Sequence, residues 1–159
     1  MTIVGIDNGA TGSIGVFKPD FVDFFMTPVM QVSQGKAGRK IHRVDHKALK
    51  EALVVHLPFM AFLERPYTGQ FINAMLPGQR SFEAVLVILE QLGAGYEVVD
   101  SKKWQEPVLG KIKGSDELKK ASKSFGCQMY PKFTPLIQKH GDADGLLIAH
   151  HFYRIHNHD

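Results

Sequence analysis

The chain opens on a run of apolar positions that ends in an acid. Residues 2–7 (TIVGID) predict a buried strand, and residues 8–12 (NGATG) a turn. Residues 13–18 (SIGVFK) read as the returning strand, and 21–26 as a third strand after a Pro-Asp turn. Such short connections require antiparallel pairing. Residues 27–44 show no clear period and read as an extended basic loop. Asp45 is placed to cap a helix over 46–56, and 59–64 (FMAFLE) is an apolar run suited to a parallel strand. A loop over 66–80 with Pro77 and Gly78 precedes an apolar helix over 81–92, and 96–99 is a further short strand. Helices are predicted over 102–109, 115–125 and 142–154. The order is a three-strand meander followed by alternating helices and strands, which predicts an α/β fold with a mixed five-stranded sheet flanked by helices.

Composition narrows this only a little. With 159 residues and 44% hydrophobic content, the chain suits one domain spanning 1–159. No apolar run reaches the roughly 20 residues of a bilayer span, so no membrane partner is expected. The first segment carries Asp7 and lacks a basic start, so it does not read as a signal peptide. The single cysteine, Cys127, gives no disulfide framework and reads as a small buried side chain, which fits a cytoplasmic setting. Net charge is +3, but thirteen of the nineteen lysines and arginines fall in two stretches. Residues 36–50 hold Lys36, Arg39, Lys40, Arg43, Lys47 and Lys50. Residues 102–123 hold Lys102, Lys103, Lys111, Lys113, Lys119, Lys120 and Lys123. Such clustering suits a polyanion, nucleic acid above all, although two solvated faces would look the same.

The acids at element ends carry the chemistry. Asp7 closes the first strand and Glu64 the fourth, each directly before a turn. If the two strands are neighbours, the two carboxylates meet and repel unless a cation lies between them. Oxygen ligands of this kind suit magnesium or manganese. A third acidic element is HGDAD, residues 140–144, at the start of an apolar helix. A helix cap accounts for Asp142 or Asp144, but not for both.

In order along the chain, IVGIDNGATGSIGV, AFLERP, SFEAVLVILEQLG, VVDSKKWQEPVLG, FGCQMYP and GDADGLLIAHHF resemble the motifs of RuvC-type Holliday junction resolvases, and in particular their phage-borne branch. The resemblance runs over nearly the whole chain. It implies a ribonuclease-H-like fold and a homodimer that cuts four-way and other branched DNA symmetrically. It also implies two magnesium ions per active site, with manganese able to substitute, and the cytoplasm of a bacterial host if the chain is phage-borne. Asp7, Glu64 and Asp144 match the family's metal-binding acids. The fourth ligand does not transfer cleanly, because the family places it three or four residues before the last acid, where this chain has Gly141 and His140. On a continuous helix His140 shares the phase of Asp144, while Asp142 brings the harder ligand but reaches only if the helix starts after it. Both remain open. The family implies phosphate contacts from the lysines, although Gln105 stands where a family lysine is often found, and a wedging role for the aromatics Tyr67 and Phe71. Trp104 reads as a packed anchor for its helix. His150 and His151, being adjacent, point about 100° apart and do not share an ion.

Two rival readings stand beside this one. The DNGATGS turn also resembles the first phosphate-binding hairpin of sugar kinases and actin-like ATPases. Those proteins close two such domains on a nucleotide, and one domain here leaves no nucleotide cofactor to expect. A branched-DNA-binding protein that does not cut is the other.

Overall fold

The computed structural model describes residues 1–34 and 38–157. Seven strands and six α-helices follow in the order β1 (Thr2–Ile6), β2 (Ser13–Lys18), β3 (Phe21–Met26), β4 (Val29–Gln34), β5 (Arg39–Val44), α1 (His46–Val54), β6 (Phe59–Glu64), α2 (Ile72–Gln91), β7 (Gly95–Val99), α3 (Ser101–Leu109), α4 (Ser115–Met129), α5 (Thr134–His140) and α6 (Asp144–Asn157). Five strands form one mixed sheet in the order β3-β2-β1-β6-β7. β1, β2 and β3 pair antiparallel, while β1–β6 and β6–β7 pair parallel. The α/β mixed sheet expected from the sequence is therefore present.

Strand parity sorts the core into two layers. Ile3, Phe17, Phe24 and Phe62 pack beneath α6 with Trp104 of α3, Ile137 of α5 and Leu147. Val4, Ile6, Ile14, Val16, Ala61 and Leu63 point the other way, onto Leu49 and Leu53 of α1 and Val85, Ile88 and Leu89 of α2. Alternating side chains leave the sheet on opposite faces, so residues 3, 5 and 7 share the α6 face, as do 60, 62 and 64.

The contact between α6 and the sheet is backbone on backbone. A Cβ on Gly5 would lie 2.2 Å from the Ala149 nitrogen, and one on Gly145 would lie 2.2 Å from the Ser13 carbonyl oxygen. Only glycine fits this approach. The Oγ of Ser13 then accepts the Gly145 N–H at 3.1 Å, anchoring the first turn of α6 to β2.

Three element assignments differ from the sequence reading. Residues 29–44 form an antiparallel hairpin, not a loop, with Val29 opposite Val44 and Val32 opposite Ile41. Both faces of this ribbon are largely exposed, so its sequence lacks the one-sided apolar alternation that marks a strand on a core. α2 begins at Ile72, nine residues earlier than expected, and runs through Pro77. Its N-terminal part is mostly exposed, so no apolar stripe announces it. A helix over Thr134–His140, absent from the sequence reading, precedes α6.

Candidate metal centre

The pairing of β1 with β6 sets Gly5 beside Phe62 and Ile6 beside Leu63. One residue further along each strand stand Asp7 and Glu64, both on the α6 face by parity. The Asp7 N–H donates to the Ser13 carbonyl at 3.0 Å, which fixes the turn behind it. The Asn8 side-chain amide donates to the Gly78 carbonyl at 3.1 Å and ties the same turn to α2. Asp144 is the first residue of α6, and the glycine contact described above presses this helix end against β1 and β2.

Two further groups arrive from the end of α5 and the turn that follows it. That helix ends at Gly141, whose φ of 111° no side-chain-bearing residue adopts comfortably, and the chain reverses there. His140 is thus the last residue of α5 and does not lie on the helix of Asp144. The phase relation drawn from a single continuous helix is incorrect, yet the reversal brings His140 to the same place. α6 starts only at Asp144, which leaves Asp142 free of helical phase. One ligand atom each from Asp7, His140 and Asp142 lie within 4.8 Å of one another. His140 Nε2 stands 3.3 Å from Asp142 Oδ1 and is buried without an aligned hydrogen bond.

The electrostatics are those of crowded acids. Burial, then the charges of Asp144, Glu64 and Asp142, hold the Asp7 carboxyl well above its ordinary range. Burial and the charge of Asp142 push Asp144 up to about 7, against the pull of its bond from Ser122. Burial also raises Glu64, opposed by its bond from Trp104. For Asp142, burial pushes upward, but His140 and the Asp144 N–H outweigh it and leave the carboxyl below its usual range. A crowd of buried acids of this kind, beside a buried imidazole nitrogen that makes no aligned hydrogen bond, fits a divalent cation. The donor set of carboxylates and one imidazole offers such a cation both oxygen and nitrogen ligands.

Two side chains at this centre escaped the sequence reading. The Trp104 indole N–H donates to Glu64 Oε2 at 2.6 Å, so the packed anchor also holds an acid. Ser122 of α4 donates to Asp144 Oδ1 at 2.5 Å. A serine within a lysine-rich helix gives no sequence signal for such a role.

The basic residues divide. Lys119 on α4 is near enough for its charge to act on Asp7, Asp142 and Asp144. Lys120 pairs with Glu117 at 2.8 Å, and Lys103 lies 3.6 Å from Glu97. Lys102 on α3 and Lys111 and Lys113 in the turn before α4 are largely solvent-facing. Arg39, Lys40 and Arg43 line the exposed strand β5, and Lys36 lies outside the described residues. Tyr67 and Phe71, 72% and 75% exposed, stand in the segment between Glu64 and α2 with no core to bury them. His150 bonds through Nδ1 to the Tyr130 hydroxyl, apart from the acids.

No protein-family model and no curated protein matches the chain in sequence. Solved structures do match. RuvC of Thermus thermophilus in complex with a Holliday junction substrate aligns with a TM-score of 0.57 at 15% identity, over 98% of this chain and 96% of that one. A second Thermus thermophilus RuvC structure gives 0.55 at 17% identity, over 99% and 97%. With the sheet order above, this likeness makes the fold ribonuclease-H-like, of the RuvC type.

Proposed function

We propose that residues 1–159 form one nuclease domain that cuts four-way and related branched DNA by metal-dependent phosphodiester hydrolysis, acting as a homodimer. The observation that carries this reading is the convergence of Asp7, Glu64, His140, Asp142 and Asp144 at one edge of a RuvC-type sheet. The motif order of the phage-borne branch of the family supports the same reading.

Asp7, Glu64, Asp142, Asp144 and His140 would hold two magnesium or manganese ions, which when bound lower the pKa of water and offset charge on phosphate. The chain's own part is to gather the acids and to bring DNA to them. Lys119 supplies positive charge beside the acids. Lys102, Lys103, Lys111, Lys113 and Lys120, with Arg39, Lys40, Arg43 and Lys36, are assigned to the phosphate backbone. Tyr67 and Phe71 offer exposed ring faces to bases unstacked at a branch point. Two symmetric cuts require two facing sites, which a C2 dimer provides. The exposed Val87 of α2 suits that contact.

The test is incubation of the chain with labelled four-way junction and with linear duplex, in magnesium and in chelator. Paired nicks on the junction alone, dependent on metal, are expected. Junction binding without cutting supports a binding module, and ATP hydrolysis a nucleotide-binding domain.

A further inference from the structure

Ser122 lies on the inward side of α4, 1% exposed, one turn after Lys119. A serine hydroxyl has one proton to donate and lone pairs to accept with. The Ala143 N–H donates to Oγ at 3.0 Å. A backbone N–H accepts nothing, so the Ser122 proton is free for its other partner, Asp144 Oδ1. With Asp144 ionised, as a metal ligand must be, Ser122 donates and the carboxylate accepts.

Anchoring the start of α6 requires only the accepting half of this arrangement. Ser13 does this too, taking the Gly145 N–H while hydrogen-bonding to no carboxylate among the described residues. The donating half of Ser122 is aimed instead at an acid of the candidate metal centre. The terminal torsion of an aspartate is broad and nearly two-fold, so an unheld carboxylate swings. A donor on Oδ1 sets that rotation and leaves the second oxygen as the remaining acceptor.

On the nuclease reading above, we propose that Ser122 is a positioning residue that fixes the rotation of the Asp144 carboxylate toward a divalent cation. Groups that orient a ligand from behind typically change metal affinity or activity by about 10- to 100-fold when removed.

The experiment compares Ser122→Ala, Ser122→Thr and Ser13→Ala with the parent chain. Manganese binding is read by electron paramagnetic resonance, thermal stability in chelator by melting, and junction cutting against magnesium concentration. Ser122→Ala and Ser13→Ala are expected to melt lower by similar amounts, each having lost a buried hydroxyl at the same helix end. Only Ser122→Ala is expected to weaken manganese binding, by about 10-fold or more, with Ser122→Thr restoring it. Parent-like manganese binding by Ser122→Ala, or equal weakening by Ser13→Ala, overturns the proposal, as does a parent chain that binds no manganese. A parent that binds manganese but leaves junctions uncut refutes the nuclease reading alone, because the binding comparison still decides the role of Ser122.

Discussion

Trp104 of α3 donates its indole N–H to Glu64 at the end of β6, while its ring is fully buried in the core beneath the sheet. One side chain therefore links core packing to the carboxylate. Trp104→Phe keeps aromatic bulk and removes the donor. Cutting is expected to slow by about 10- to 100-fold, with a stability loss of about 1–3 kcal/mol. The bond holds Glu64 down against burial, so its loss raises that carboxyl further, and the low-pH limb of activity should move to higher pH. A pH–rate profile that overlays the parent's would contradict the link.

Stability without metal should depend on pH in an unusual direction. Asp144 sits at about 7 in the fold against an ordinary 3.8, and Asp7 is raised as well. A raised acid favours the fold below its ordinary range and loses that contribution as pH rises through its folded value. In chelator, the melting temperature should fall between pH 5 and pH 8, and added magnesium should restore it most at pH 8. Asp144→Asn should recover roughly 2–4 kcal/mol at pH 8 and little at pH 4. A flat profile in chelator would show that the acids are not strained in the fold.

His140 and Asp142 both reach Asp7, so both are expected to matter. Asp142→Ala should impair magnesium-supported cutting more than manganese-supported cutting, because magnesium demands oxygen ligands. His140→Ala should show the opposite bias. Parent rates in both metals for either variant would remove that residue from the ligand set.

Lys119 stands apart from the other lysines because three acids feel its charge. Junction affinity should fall linearly on a logarithmic salt axis, and Lys119→Ala should reduce the slope by about 1. An unchanged slope would mean that Lys119 meets no phosphate.

Tyr67→Ala and Phe71→Ala remove exposed rings that pack on little of the chain itself. Junction affinity is expected to drop by about 5- to 100-fold per stacked base, with linear-duplex affinity unchanged. Equal losses on both substrates in a gel-shift titration would argue against a branch-point contact.

The acids at strand ends were legible because strand parity and a following turn leave few places for Asp7 and Glu64 to point. Asp144 was legible from the apolar helix it begins. The way His140 reaches the centre was not, because a helix of seven residues ending at Gly141 carries too short a pattern to separate from α6. Ser122 and Trp104 were missed as partners of acids because their hydrogen bonds span 22 and 40 residues, and no local pattern encodes that separation. The β4–β5 ribbon escaped because its pairing is satisfied strand to strand, with little core behind it.

The glycine seam between α6 and the first two strands has a consequence for sequence drift. Where main chain rests on main chain, the distance between the acids of β1 and α6 owes nothing to the shape of any side chain between them. The apolar residues around that seam are free to be exchanged in compensating sets without moving the acids. A fold locked in this way can hold its geometry while the apolar sequence around it changes. Gly5 and Gly145 are then positions that admit no side chain, although neither bears a functional group.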